Sequence, residues 1–304
     1  MATESYSVLL YYFYTPLADP AEFVEQQRAL CESLELLGRI IVAEEGINGT
    51  VSGLDSSCED YMRAMRADSR FAEMEFKIDR VTEHAFPKLS VKLRSEVVSL
   101  GLGEEDLFPP GNTADYLAPK EWLEMMGRDD VVILDARNNY EWELGRFAGA
   151  VLPDIDSFRD LPTWVREHRA ELEGKKIMTY CTGGIRCEKF SGFLKQEGFE
   201  DVYQLHGGIV KYGKDPEVRG ERFEGKCYVF DERIGVDVNE VDAGVVGRCL
   251  HCGCACDRYL NCAWSMCNAQ YFCCESCEEK STGYCSQGCQ NARIDGCCVE
   301  PTEG

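Results

Sequence analysis

The residues best placed to do chemistry are cysteines, and they fall into two groups. The first lies in Lys176-Ile177-Met178-Thr179-Tyr180-Cys181-Thr182-Gly183-Gly184-Ile185-Arg186-Cys187, which reads as an apolar strand, a glycine loop and the start of a helix. Two successive glycines let such a loop curl until its backbone N–H groups point inward, and the following helix adds the positive end of its dipole. Both effects lower a thiol pKa, so Cys181 is the candidate nucleophile and Arg186 an added fixed charge. Thr182, Gly183, Gly184 and Ile185 supply the backbone that would hold an anionic substrate or intermediate. Cys187 suits a resolving thiol; the plainer reading is a small buried residue at a helix start.

The second group is the tail. Of 18 cysteines, 13 fall between Cys249 and Cys298. Cys249-x-x-Cys252 and Cys274-x-x-Cys277 are two CxxC knuckles, and Cys256, Cys262, Cys267, Cys285 and Cys289 continue the ladder. Thiolates at such spacing suit tetrahedral zinc. Eight would close two structural sites and these nine leave one spare, while Cys254, Cys273, Cys297, Cys298 and His251 are further possibilities. Iron–sulfur binding and disulfides or free thiols are the competing readings. A secreted disulfide scaffold does not normally trail a large cysteine-poor body, so metal is the expectation.

The remaining composition bounds the setting. With 304 residues, 44% hydrophobic and 28% charged, the chain has the make-up of a folded protein of two or three domains. No apolar run is long enough for a membrane helix and the start is acidic at Glu4, which predicts a cytoplasmic protein without a membrane partner. A net charge of −22 opposes nonspecific adhesion to nucleic acid. Phe76 to Glu96 is a basic island, however, with a net of +2. There Lys88-Leu89-Ser90-Val91-Lys92-Leu93-Arg94 alternates strictly, putting Lys88, Lys92 and Arg94 on one strand face and Leu89, Val91 and Leu93 toward a core. That basic face is the expected RNA seat, against the alternative of an ordinary solvated strand.

Three units must position these groups. Residues 1–103 show the order βαββαβ of a ferredoxin-like or acylphosphatase-like sandwich, with strands at Ser7 to Tyr14, Arg39 to Ala43, Thr50 to Ser52, Met74 to Val81 and Leu89 to Leu100. A first helix starts at Asp19-Pro20 and carries Phe23, Leu30, Leu34 and Leu37 to Gly38; a turn spans Glu45 to Gly49, and a second helix starts at Asp55. Residues 104–115 read as a linker. Residues 116–224 alternate short apolar strands, Val131 to Leu134 and Lys176 to Tyr180, with helices, so a parallel α/β sheet is expected. Ligands bind at the carboxyl ends of such strands, where Cys181, Asp135 and Arg137 lie. Residues 225–304 form the cysteine-rich, zinc-binding segment, too poor in branched aliphatics to hold together without metal.

Leu134-Asp135-Ala136-Arg137 with Glu141, Gly145, Arg146, Phe147, Gly149 and Ala150 resembles the first rhodanese signature, and the Cys181 loop and Leu205-His206-Gly207-Gly208-Ile209 resemble its active loop and closing motif. Cys-Thr-Gly-Gly-Ile-Arg-Cys-Glu-Lys at 181–189, Glu44-Glu45-Gly46-Ile47-Asn48-Gly49-Thr50 and the cysteine tail together resemble the rhodanese-domain tRNA uridine hydroxylases over nearly the whole chain. The resemblance implies oxygen-dependent formation of 5-hydroxyuridine at the wobble position, with molecular oxygen as co-substrate, the tRNA anticodon loop as partner and Cys181 as the essential cysteine. No organic cofactor is evident. The alternatives are a sulfurtransferase that forms a Cys181 persulfide, and a thiol redox-sensing or zinc-dependent adaptor in which Cys181 and Cys187 form a switch.

Overall fold

The computed structural model describes residues 5–103, 107–241, 243–267 and 269–294. The N-terminal unit runs β1 (Tyr6–Tyr14), α1 (Pro20–Ser33), β2 (Leu37–Ala43), β3 (Gly46–Leu54), α2 (Asp55–Ala67), β4 (Phe76–Val81) and β5 (Leu89–Leu93). Its sheet has the order β4-β1-β3-β2-β5, antiparallel except for β5, which lies parallel to β2. The first four strands are the expected acylphosphatase-like βαββαβ array, and β5 extends it at one edge. Alternation splits the sheet. Leu9, Tyr11, Ile40, Val42, Ile47 and Val51 pack against Phe23, Val24, Cys31, Tyr61 and Met65 of the two helices. Leu10, Tyr12, Arg39, Ile41, Asn48 and Thr50 take the opposite face.

Three local expectations are corrected. Helix α1 stops at Ser33 instead of continuing through Leu37: Leu36 N–H bonds Cys31 O, Glu35 N–H bonds Glu32 O, and Glu35 takes φ +54°. This is the double bond of a Schellman cap with glutamate at its left-handed position, so no glycine announces the end. The turn after β2 is only Glu44-Glu45, because Ile47, Asn48 and Gly49 pair with Phe13, Tyr12 and Tyr11. The fifth strand ends at Leu93, not Leu100, and Leu93 is 45% exposed rather than core-facing, as the last residue of an edge strand with a neighbour on one side only.

The second unit contains β6 (Asp115–Leu117), α3 (Pro119–Met125), β7 (Val131–Asp135), α4 (Asn139–Trp142), β8 (Gly145–Phe147), α5 (Leu161–Glu167), α6 (Arg169–Leu172), β9 (Lys176–Tyr180), α7 (Ile185–Gln196), β10 (Val202–Leu205) and α8 (Gly208–Lys214). Strands β6, β10, β9 and β7 form a parallel sheet in that order. One side packs Leu134, Phe190, Phe193 and Leu194; the other packs Trp122, Phe147, Tyr180 and Tyr212. The segment that precedes β6 is built into this unit: Leu100, Leu107 and Ala114 are buried in its core.

Strand β11 (Phe223–Tyr228) pairs with β8 on one side and β12 (Gly235–Asp237) on the other, so the boundary placed at 224 falls inside a strand. The tail holds a two-stranded sheet of β13 (Tyr259–Asn261) and β14 (Gln270–Phe272), then α9 (Glu275–Ser281) and α10 (Gln287–Ile294). Its core is Tyr259, Tyr271, Phe272 and Tyr284 set among cysteines. Among the described residues, no helix is long and apolar enough to cross a membrane.

Candidate active site and cysteine quartets

Cys181 follows the last residue of β9, at the carboxyl edge of the parallel sheet, and α7 begins four residues later. Gly184 caps that helix with φ +104°, a left-handed conformation that turns its N–H onto Cys181 Sγ at 3.1 Å. Gly208, at φ +68°, closes the loop from the other side; a Cβ there would stand 2.6 Å from Cys181 O. Burial works against a charge on Cys181, but the Cys187 thiol, the Arg186 guanidinium and the N–H groups of Cys187 and Gly184 outweigh it and bring its pKa down to about 5. The site therefore holds a thiolate at neutral pH. Cys187 is raised by burial and by its hydrogen bond to Cys181, so it stays a neutral donor.

Arg186 is fixed rather than free. Its Nη1 and Nη2 each donate to Glu141 at 2.6 Å, and both side chains are buried. Glu141, from the first rhodanese-like signature, thus aims the cation that Cys181 uses. Glu188, two residues past Arg186 along α7, accepts hydrogen bonds from Tyr12, Tyr116 and Thr113, and burial raises its pKa.

Cys181, Thr182, Gly183, Ile185 and Arg186 form one wall of a cavity of about 400 Å³. The facing wall is the free side of the N-terminal sheet, with Leu10, Tyr12, Arg39, Ile41, Asn48 and Thr50. Tyr140, Phe158, Arg159 and Phe230 complete it. Cys181 is at its floor, 1% exposed. A larger groove of about 720 Å³ lies beside α8 and β12, but its cations are already paired, Arg80 with Asp55, Lys214 with Asp79, Arg219 with Glu240 and Arg233 with Asp231. The cavity over Cys181 is the chemically equipped one.

Asp135 and Arg137, expected at the substrate, are wholly buried instead. Their side chains pair through two hydrogen bonds of 2.9 and 2.7 Å, Tyr180 Oη donates to Asp135, and Arg137 also donates to Gly145 O. Neither lines the cavity: both side chains are fully buried, with Asp135 held by Arg137 and Tyr180. Lys88, Lys92 and Arg94 are exposed, and the pairing of Ile41 with Lys92 puts Lys92 on the cavity side of the sheet. Sequence reading did not find Tyr12, Arg39, Tyr140, Arg159 and Phe230. The alternation of β1 and β2 carries the signal for Tyr12 and Arg39, which sit on the face opposite the apolar one; nothing local marks the other three.

In the tail, Cys249, Cys252, Cys274 and Cys277 bring their sulfurs within 4.8 Å of one another, and so do Cys262, Cys267, Cys285 and Cys289. Both CxxC knuckles therefore serve the first quartet, and the second quartet interleaves with it along the chain. Either quartet could hold a metal ion. Cys256 lies outside both, with its Sγ toward Arg258 O, as do Cys254 and Cys273. Cys297 and Cys298 fall outside the described residues. His251 packs edge-on against Tyr271 and is in neither quartet.

An acylphosphatase-like sheet laid over the reactive loop of a rhodanese-type domain, with two cysteine quartets behind, defines a multidomain cysteine enzyme of the rhodanese class. Family models agree along the chain: a UPF0176 acylphosphatase like domain matches residues 6–97, a Rhodanese-like domain 118–215 and a Rhodanase C-terminal model 224–290. The tRNA uridine(34) hydroxylase of Bacillus mycoides (strain KBAB4) is 57% identical over 95% of this chain and 90% of its own length. That of Shouchella clausii (strain KSM-K16) is 52% identical over 95% and 89%. The chain belongs to the tRNA uridine(34) hydroxylase family.

Proposed function

We infer that this chain hydroxylates uridine 34 of tRNA, the activity for which its relatives are named, and that Cys181 is its reactive thiol. The observation that supports the second half is the Cys181 sulfur, held by Gly184 N–H at the floor of a cavity of about 400 Å³ walled by two domains, room for one flipped base. The thiolate adds to C6 of the uracil, which makes C5 electron-rich. One atom of dioxygen is delivered to C5; the other leaves as water with two electrons and two protons from a reductant. Loss of the C5 proton then expels the thiolate and restores the ring as 5-hydroxyuridine. Arg186, held by Glu141, keeps Cys181 ionised, and Cys187 donates to it. Thr182, Gly183, Gly184 and Ile185 shape the loop against the base.

The two quartets fit zinc in a structural role. Sulfur separations of 3.7 Å (Cys252 with Cys274, Cys267 with Cys285) and 3.5 Å (Cys285 with Cys289) are far longer than a disulfide. They approach the edge of roughly 3.8 Å that four sulfurs about 2.3 Å from one ion would define. The exposed Lys88, Lys92 and Arg94 form the outer seat in this reading for the anticodon arm, and a tRNA substrate supports a cytoplasmic location.

Nucleoside mass spectrometry of tRNA tests the reading, in cells that lack their own activity and carry wild-type or Cys181→Ser protein. 5-Hydroxyuridine with wild type alone is the expected result. If neither protein changes the tRNA, the hydroxylase reading falls, and a persulfide assay on Cys181 becomes the next measurement.

A further inference from the structure

The charge of the cavity is opposite to that of the chain. The whole sequence carries −22, yet the charged side chains lining the cavity are Arg39, Arg159 and Arg186, and among the described residues no carboxylate joins them. Arg186 is neutralised by Glu141. Arg39 and Arg159 are exposed and, among the described residues, neither takes part in an ion pair, whereas Arg166, Arg219, Arg233 and Arg258 all do. In so acidic a protein, two unneutralised guanidinium groups at one mouth are an electrostatic feature that a polyanion would read.

Their positions are also opposed. Arg39 stands on β2, on the cavity face of the N-terminal sheet. Arg159 stands in the 3-10 turn Phe158–Asp160 of the second unit. A nucleotide whose base has entered toward Cys181 leaves a phosphate on each side of it at the mouth. A guanidinium from each domain meets that need, because its planar fork matches phosphate oxygens. The strand register continues the track: Arg39 pairs with Ser90 and Ile41 with Lys92, so Lys92 lies on the same sheet face beyond Arg39.

We propose that Arg39 and Arg159 are substrate-positioning residues that grip the two phosphates flanking the target uridine, one from each domain, and so hold the base in the flipped state. This rests on the tRNA hydroxylase reading. It assigns the inner RNA contact to the cavity mouth and leaves Lys88, Lys92 and Arg94 the outer path.

The test is the salt dependence of binding of the full chain, carrying Cys181→Ser to prevent turnover, to a fluorescent anticodon stem-loop RNA. Variants are Arg39→Gln, Arg159→Gln, both together, Arg39→Lys with Arg159→Lys, and the control Arg63→Gln on α2 behind the sheet. Each glutamine should weaken binding and reduce the slope of log affinity against log salt by roughly 0.7, the value for one phosphate contact on a single strand. The lysine pair should keep the slope while losing affinity, and Arg63→Gln should leave both unchanged. In otherwise wild-type protein, the glutamine variants should raise KM for tRNA and leave the rate of Cys181 alkylation unaltered, which shows an intact loop. If the parent binds the RNA and the double glutamine variant retains its affinity and slope, the inference is overturned while the hydroxylase reading stands. If the parent does not bind the RNA and the wild-type chain does not modify tRNA, both fall.

Discussion

Lys189, on the helix that follows the reactive loop, leaves its own domain to place Nζ 2.9 Å from Glu45, in the β2–β3 turn of the N-terminal sheet, and 2.9 Å from Glu96. The lysine side chain is fully buried and the carboxylates are 13% and 18% exposed. Glu45 also accepts Val97 N–H. Two sequence motifs far apart in the chain, Glu44-Glu45-Gly46 and Cys187-Glu188-Lys189, are therefore halves of one interdomain lock that fixes the two walls of the cavity against each other. Lys189→Met strands two carboxylates at a buried interface and should cost about 3 kcal/mol in urea unfolding. A loss below 1 kcal/mol would show that the lock does not hold the domains.

Cys181 should titrate as an acid. Its charged form exists above a pKa of about 5 and is lost as pH falls through that value, so alkylation by iodoacetamide, mapped to the Cys181 peptide, should be near its plateau at neutral pH and fall by half near pH 5. Cys187→Ala removes a donor to the thiolate and should move the midpoint upward. A midpoint in the ordinary cysteine range for the wild-type protein would remove the basis for a standing thiolate.

The reactive loop was legible because its requirements are local: a strand end, two glycines and a helix start are contiguous, and they are found where the pattern put them. The quartets were legible as ligands but not as pairs, since pairing depends on how β13, β14 and α9 fold back. Asp135 and Arg137 misled because position at a strand's carboxyl end does not say which way a side chain turns. Arg159, Tyr140 and Phe230 were invisible for a different reason: each is remote from the reactive loop in the chain and is brought to the cavity by tertiary packing, which no local period encodes.

That burial gives Asp135 a test separating structure from substrate binding. Asp135→Asn leaves Arg137 charged, fully buried and without its counter-ion. Stability should drop by about 3–5 kcal/mol, while KM of the remaining folded enzyme for tRNA stays at the wild-type value. A raised KM with unchanged stability would return Asp135 to the substrate site.

The cysteine tail does more than close on itself, because it supports a cavity wall. Tyr259 Oη donates to Tyr140 O at 2.6 Å, Tyr228 packs edge-on against Tyr140, Tyr259 and Phe230, and Lys226 pairs with Asp257. Tyr140 and Phe230 both line the cavity. With ligands of the first quartet before β13 and after β14, and ligands of the second between the two strands and beyond them, metal supplies folding energy to the sheet that carries Tyr259. Elemental analysis should find about two zinc ions per chain, one for each quartet. Cys274→Ser should lower this to about one, and Cys256→Ser should leave it unchanged. Tyr259→Phe should keep the metal and raise KM for tRNA about five-fold, the worth of one hydrogen bond of ~1 kcal/mol. Chelation should raise KM further while Cys181 still alkylates, because its loop is built on β9 and α7, which carry no metal ligand. Equal loss of Cys181 reactivity on chelation would mean that the metal sites hold up the reactive loop itself.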